Sequence, residues 1–274
     1  MCQMILFDLD GTLLTSDGIV SSATADIIKL CKLKGHYIGF VTARSGSKKN
    51  IKLLDGLPYD FIAFYNGAAV YAENQLIERN ELPYKQAASI LQRLDEDFSG
   101  VEIDVYQEPW LFSSARNEIC HIGLGSREVC NLNKLPEIDV QRIRLRSENL
   151  RSISFEKYMT AESTFYFTVF GDVIIGHKSA NKGNATKSAS KYFCIPLTQI
   201  IAFGDDVNDI DMIKIVGTGI AMGNAVPRLK KIADYITETN DNNGIASWIK
   251  NTWSNKSRGK HGEFLKKIIY LLLS

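Results

Sequence analysis

What most constrains the fold of this chain is an alternation of short apolar runs with longer amphipathic segments, met near the N-terminus and again in the last third. Met4-Ile5-Leu6-Phe7 is a continuous apolar run ending on Asp8, the pattern of a strand buried on both faces of a parallel sheet. Ser21 to Lys34 follows as a crossover helix, with a serine at the N-cap, apolar Ile27, Ile28, Cys31 and Leu33, and Gly35 as its stop. Tyr37 to Val41 is predicted as a strand, Ser47 to Leu54 as a helix, and Phe61 to Tyr65 as a strand closed by Asn66-Gly67. The rhythm returns with helix Lys182 to Tyr192, strand Ile200 to Phe203, helix Asn208 to Ile215, strand Gly219 to Met222, helix Val226 to Ala233 and strand Tyr235 to Thr237. Such alternation predicts an α/β fold on a parallel sheet.

Between the two stretches the texture changes. Lys85 to Asp97 reads as a helix, followed by short aromatic strands such as Glu102 to Tyr106 and Thr164 to Phe170. The expected organisation is a core formed by residues 1–81 and 179–253, an α+β insertion at 82–178, and a tail at 254–274. That tail opens polar and basic and closes on Phe264 to Leu273, which suits docking on its own core or a twin chain better than a basic amphipathic anchor.

Composition narrows the function. Hydrophobic residues at 45% and charged residues at 23% are enough for a packed core, so a globular domain is expected. Thirty-two Lys and Arg against 31 Asp and Glu leave a formal charge of +1, so no global field favours nucleic acid or an anionic membrane. Five scattered cysteines, Cys2, Cys31, Cys120, Cys130 and Cys194, show no close pair of the zinc type and read as reduced thiols. No export signal opens the sequence, and no stretch approaches the roughly 18 apolar residues of a membrane span. A soluble cytoplasmic protein, monomer or homodimer, is expected.

The chemistry sits where strands end. Asp8 and Asp10 in Asp8-Leu9-Asp10-Gly11-Thr12-Leu13 are spaced to share one side of an extended chain, and Gly11 lets it turn. Two carboxylates at the C-terminal edge of a sheet call for a hard divalent cation, although a lone DxD is common and more often a solvated turn. Thr42, Ala43 and Arg44 follow a buried strand and offer phosphate donors, but a threonine after a strand is alone more often a helix cap. Lys182 stands at a helix start, where an isolated lysine is ordinarily solvated. Asp205, Asp206, Asn208, Asp209 and Asp211 crowd the end of strand Ile200 to Phe203, and neither plausible register makes an EF-hand: Val207 or Ile210 would occupy a ligand position. A Mg²⁺ site at a strand end accounts for them better.

The order DLDGT, Thr42, Lys182 and GDDVND resembles the four motifs of the haloacid dehalogenase superfamily. Asn66-Gly67-Ala68, Lys182-Gly183-Asn184-Ala185 and Ala221-Met222-Gly223-Asn224-Ala225 bring it close to the Cof-type sugar-phosphatase-like branch with a type IIB cap. The resemblance covers roughly Met4 to Trp253 and implies a Rossmann-like core with a mobile α+β cap that sets specificity. It implies a Mg²⁺-dependent phosphatase of small phosphorylated metabolites; phosphomutase or phosphotransferase activity, or a non-catalytic binding role, are the alternatives on such a scaffold. By resemblance, Asp8 is the nucleophile and Asp10 the acid/base. Mg²⁺ is held by the Asp8 carboxylate, the Asp10 carbonyl and Asp205. Gly11, Thr42, Ala43, Arg44, Asn66, Lys182 and Asn208 bind phosphate or substrate. Asp209 orients a metal-bound water or Lys182 from behind, and Asp206 is solvated. The turn Ile174 to Ser179 departs from many relatives, so substrate contacts there do not carry over.

Overall fold

The computed structural model describes residues 3–98, 101–108, 110–114, 118–121, 127–129, 135–168 and 170–256. The tail expected at 254–274 therefore lies outside the described residues from 257 onward, as do Cys2 and Cys130. The chain divides into two compact units. One is drawn from Met1–Phe40, Gly56–Asp60 and Phe193–Ser274, the other from Val41–Asp55 and Phe61–Tyr192.

The chain enters the first unit through strand β1 (Met4–Phe7), helix α1 (Ser22–Leu33) and strand β2 (Tyr37–Val41). All four residues of β1 are buried, which matches its unbroken apolar run. Helix α1 starts where Ser21 accepts a hydrogen bond from the Thr24 amide, and it buries Thr24, Ile27, Ile28 and Cys31. Its exit is the positive φ of +80° at Gly35.

The second unit begins with a short helix α2 (Lys48–Ile51) and continues into β3 (Phe61–Phe64), β4 (Ala69–Ala72) and β5 (Gln75–Arg79). The hairpin β4–β5 is absent from the sequence reading. Its turn is made by Glu73 and Asn74, both at positive φ (49° and 62°), without the glycine that usually announces such a turn. Helix α3 (Tyr84–Asp97) follows, then β6 (Glu102–Gln107), β7 (Trp110–Ser113), β8 (Glu118–His121), β9 (Arg127–Val129), β10 (Arg142–Arg146), β11 (Ser163–Phe167) and β12 (Val173–His177). These seven strands form an antiparallel sheet in the order β11-β12-β10-β6-β7-β8-β9. In β10 the alternation Arg142-Ile143-Arg144-Leu145-Arg146 puts Ile143 and Leu145 into a core with Ile90 and Leu94 of α3, Ile103, Val105, Phe155, Val173 and Ile175. The three arginines belong to the opposite face of the sheet. The unit closes with α4 (Lys182–Tyr192).

The chain then returns to the first unit as β13 (Ile200–Gly204), α5 (Ile210–Ile215), β14 (Thr218–Ala221), α6 (Pro227–Lys230), β15 (Tyr235–Ile236) and α7 (Gly244–Lys256). Within this unit five strands run parallel in the order β15-β14-β13-β1-β2. Phe7 sits between Phe40 and Phe203 in register, and its ring stacks on Phe203 at 5.3 Å. The ends of β1 and β13 are thus neighbours, and so are the acidic segments that follow them. The expected α/β class, a parallel-sheet core together with an α+β antiparallel sheet, is the class observed.

Candidate active site

Strand β1 ends one residue before Asp8. The Asp8 amide donates to Phe203 O at 3.1 Å, and the chain then folds back, with Leu13 N donating to Asp8 O and Leu14 N to Leu9 O. Leu9, Leu13 and Leu14 are buried, which pins the turn to the core. Asp8 is 5% exposed whereas Asp10 is exposed, so the two acids do not share one environment as an extended strand would have them do. The turn, not strand pleating, governs this segment.

The acidic cluster that forms is Asp8, Asp205 and Asp209, whose nearest carboxylate oxygens all lie within 4.8 Å of one another. The Asp10 carboxylate is not part of it. Gly11 explains how Asp205 comes so close: a Cβ there would stand 2.2 Å from Asp205 Oδ2, and φ at Gly11 is +76°. Thr12, 1% exposed, donates from Oγ1 to Asp205 Oδ1 at 2.8 Å and aims that carboxylate. No sequence argument singled out Thr12, because its partner lies 193 positions away.

Asp209 is fully buried, and its Oδ2 accepts from the amides of Asp205 (2.9 Å) and Asp206 (3.0 Å). It thereby braces the loop that carries Asp205. Asp206, expected to be solvated, is half-buried; it accepts from Val207 N at 2.7 Å and caps the turn reciprocally with Asp209. Gly204 leaves room for this brace, since a Cβ would meet Asp209 Cβ at 2.6 Å. Asn208 lies in the same turn, Val207–Asp209, half-buried. Asn224, quoted only as part of a motif, donates to Gly11 O at 2.8 Å and accepts from Asn240 N, while Asn240 donates to Leu14 O. These amides tie the turn after β1 to the segments after β14 and β15.

Three clustered carboxylates repel unless a cation or donors offset them. An all-oxygen set without thiolate or imidazole is the hard-ligand chemistry of Mg²⁺, Mn²⁺ or Ca²⁺. The residues present therefore fit a divalent ion.

The second unit gathers the other expected residues. Thr42 is fully buried; its Oγ1 accepts from Arg44 N at 3.0 Å, and its carbonyl accepts from Asn66 N at 2.7 Å. Arg44 O accepts from Tyr65 N, and Arg44 Nη1 donates to Asn50 Oδ1 at 3.2 Å. Tyr65 and Asn66 both adopt positive φ (51° and 58°), so the turn after β3 is tightly wound against Thr42-Ala43-Arg44. Asn66 Nδ2 donates to Tyr166 Oη at 2.8 Å. Helix α4 is capped by Asn181 Oδ1, which accepts from Asn184 N, and its start packs on Gly67, where a Cβ would meet Asn181 O at 3.2 Å. Lys182, the first residue of α4, is fully buried, which removes the reading of a solvated surface lysine. Thr42, Ala43, Arg44, Asn66 and Lys182 are thus assembled within one unit, and Asp8, Gly11, Asp205, Asp209 and Asn208 within the other.

The family model for haloacid dehalogenase-like hydrolases matches residues 5–249. YkrA of Bacillus subtilis is 28% identical over 258 residues, covering 90% of this chain and 96% of that protein. The 5-amino-6-(5-phospho-D-ribitylamino)uracil phosphatase YitU of the same organism is 28% identical over 276 residues, 92% of this chain and 97% of YitU. Among solved structures, the HAD subclass IIB sugar phosphatase BT4131 superposes with a TM-score of 0.75 at 20% identity, over 91% of this chain and 98% of that one, a likeness of fold.

Proposed function

Because the chain belongs to the haloacid dehalogenase-like hydrolases, we propose that it is a Mg²⁺-dependent phosphatase of small phosphorylated metabolites, working through an aspartyl phosphate on Asp8. The observation that carries this reading is the cluster of Asp8, Asp205 and Asp209 at the ends of two adjacent parallel strands. The phosphatase activity named for the similar protein YitU supports the reaction class.

In the proposed reaction an Asp8 oxygen forms a bond to phosphorus as the ester P–O bond breaks, and Asp10 gives its proton to the leaving alcohol oxygen. Its exposure lets Asp10 then take a proton from water, which attacks phosphorus and displaces the Asp8 carboxylate, releasing inorganic phosphate. Asp8, Asp205 and the Asp10 carbonyl would hold Mg²⁺, with Thr12 and Asp209 keeping Asp205 aimed. The bound cation offsets repulsion between the anionic nucleophile and the phosphate. Thr42, Asn208 and Lys182 are assigned to the transferring phosphoryl group; Gly11, Ala43, Arg44 and Asn66 are assigned to phosphate and substrate. Residues 82–178 serve as the specificity cap and 1–81 with 179–253 as the catalytic core, in a cytoplasmic enzyme. Phosphate release from a panel of phosphomonoesters, with Mg²⁺ and with excess chelator, tests this: metal-dependent release from at least one ester is expected, and no release from any ester would overturn it.

A further inference from the structure

The face of the antiparallel sheet opposite its core carries Arg142, Arg144 and Arg146 in a row on β10. Two of them are neutralised: Arg144 donates through Nε to Asp172 Oδ2 at 2.8 Å, and Arg146 pairs with Asp104 and, at 3.0 Å, with Glu102. Arg142 has no carboxylate partner among the described residues. Its Nη1 donates to Ala43 O at 2.8 Å, its guanidinium lies 4.1 Å from the Tyr106 ring centroid and 5.0 Å from that of Tyr65, and its Nε–H is buried without an acceptor. Glu108, which like Arg142 acts on Tyr65, is engaged by Tyr65 Oη and Gly46 N, each at 3.0 Å. A cation held rigidly on two aromatic faces and left without a counter-charge is prepared for an anion from outside the chain.

Arg142 lines a cavity of about 30 Å³ together with Asn66, Thr164, Tyr166, Gly176 and His177. Thr164 pairs in register with Gly176, and both line this cavity. Tyr166 is bonded to Asn66, the residue assigned above to the substrate. A space of this size admits a small polar group beside the Arg142 guanidinium.

We propose that Arg142 is a specificity-determining residue that binds a carboxylate on the alcohol part of the substrate, so that the preferred substrates are phosphomonoesters of hydroxy acids. A planar guanidinium matches a carboxylate, and the neighbouring Thr164 and Tyr166 hydroxyls complete a polar lining of suitable size. The inference rests on the phosphatase reading above.

The test compares 3-phosphoglycerate with glycerol 3-phosphate, which differ by a carboxylate against a hydroxymethyl group. Wild-type kcat/KM is expected to be at least about tenfold higher for the acid, the scale of one charge-assisted hydrogen-bonded contact. Arg142→Met should bring the ratio near one, and Arg142→Lys should restore it in part. Calorimetry on the Asp8→Asn protein reads the same preference as binding, independent of turnover and of whether Arg142→Met folds. A wild-type ratio near one, or an Arg142→Met protein that loses equally on both esters, would overturn the proposal and leave Arg142 a tether for Ala43. Tighter binding of the acid to the Asp8→Asn protein without phosphate release from any ester by the wild type would support Arg142 and contradict the phosphatase reading instead.

Discussion

Gly11 and Thr12 decide where Asp205 stands, the one by having no side chain and the other by donating to it. Gly11→Ala should therefore cost nearly all activity, since a methyl group 2.2 Å from Asp205 Oδ2 at a φ of +76° forces the turn or the carboxylate away. Steady-state assays with circular dichroism as a folding control would check it; a folded, fully active Gly11→Ala protein would contradict the geometry. Thr12→Val keeps the shape and removes the donor, so Mg²⁺ activation should shift to concentrations about 10- to 100-fold higher, the usual cost of losing a partner that orients a metal ligand. Burial pushes the Cys31 thiol up to about 12. At pH 8 it stays protonated and sealed, so native protein should be alkylated at exposed Cys194 and not at Cys31, with peptide mass mapping as the readout. Among these residues the acids were legible, because carboxylates crowding strand ends need a reason to be there. Thr12, Asn224 and Asn240 were not, since each acts on a partner brought close only by the parallel sheet.

At the scale of elements, the segments with strong period and clear punctuation were readable almost to the residue. Helix α1 begins and ends where Ser21 and Gly35 said it should, and β1, β2 and α4 have the expected bounds. Strand β3 and its turn followed suit, but the hairpin behind them was hidden, since Glu73-Asn74 carries no glycine signal. The helix expected over Val226 to Ala233 shortens to Pro227–Lys230, because Lys231, Ile232 and Ala233 close on 3₁₀-type and single-turn bonds and β15 begins at Tyr235. Helix α1 supplies an element-scale prediction. Ser21→Ala removes the acceptor for Thr24 N and the bond from Ser21 Oγ to Asn243 Oδ1 at 2.6 Å. A stability loss of about 1 to 2 kcal/mol is expected by urea denaturation. A change below a few tenths would mean that neither bond contributes.

Over the whole molecule, the same interruption that broke the α/β rhythm in the sequence becomes the antiparallel sheet of the second unit. The change of texture was visible because aromatic, alternating segments replace continuous apolar ones. Which arginine of β10 has no carboxylate partner among the described residues was not visible, since pairing with Asp104 and Asp172 depends on register and on a distant loop. The acidic cluster joins β1 and β13 of the first unit, and everything proposed about catalysis depends on the nucleophile at its centre. The most direct measurement is phosphate release by Asp8→Asn against wild type at saturating Mg²⁺, on the best ester of the panel, with acid-quenched wild-type protein mapped by mass spectrometry. The account predicts a loss of at least about 10³-fold in kcat for a folded variant, and a phosphoryl mass on the wild-type peptide carrying Asp8 that the variant lacks. Asp8→Asn protein turning over at wild-type rate, or a phosphoryl group trapped on another residue, would contradict it.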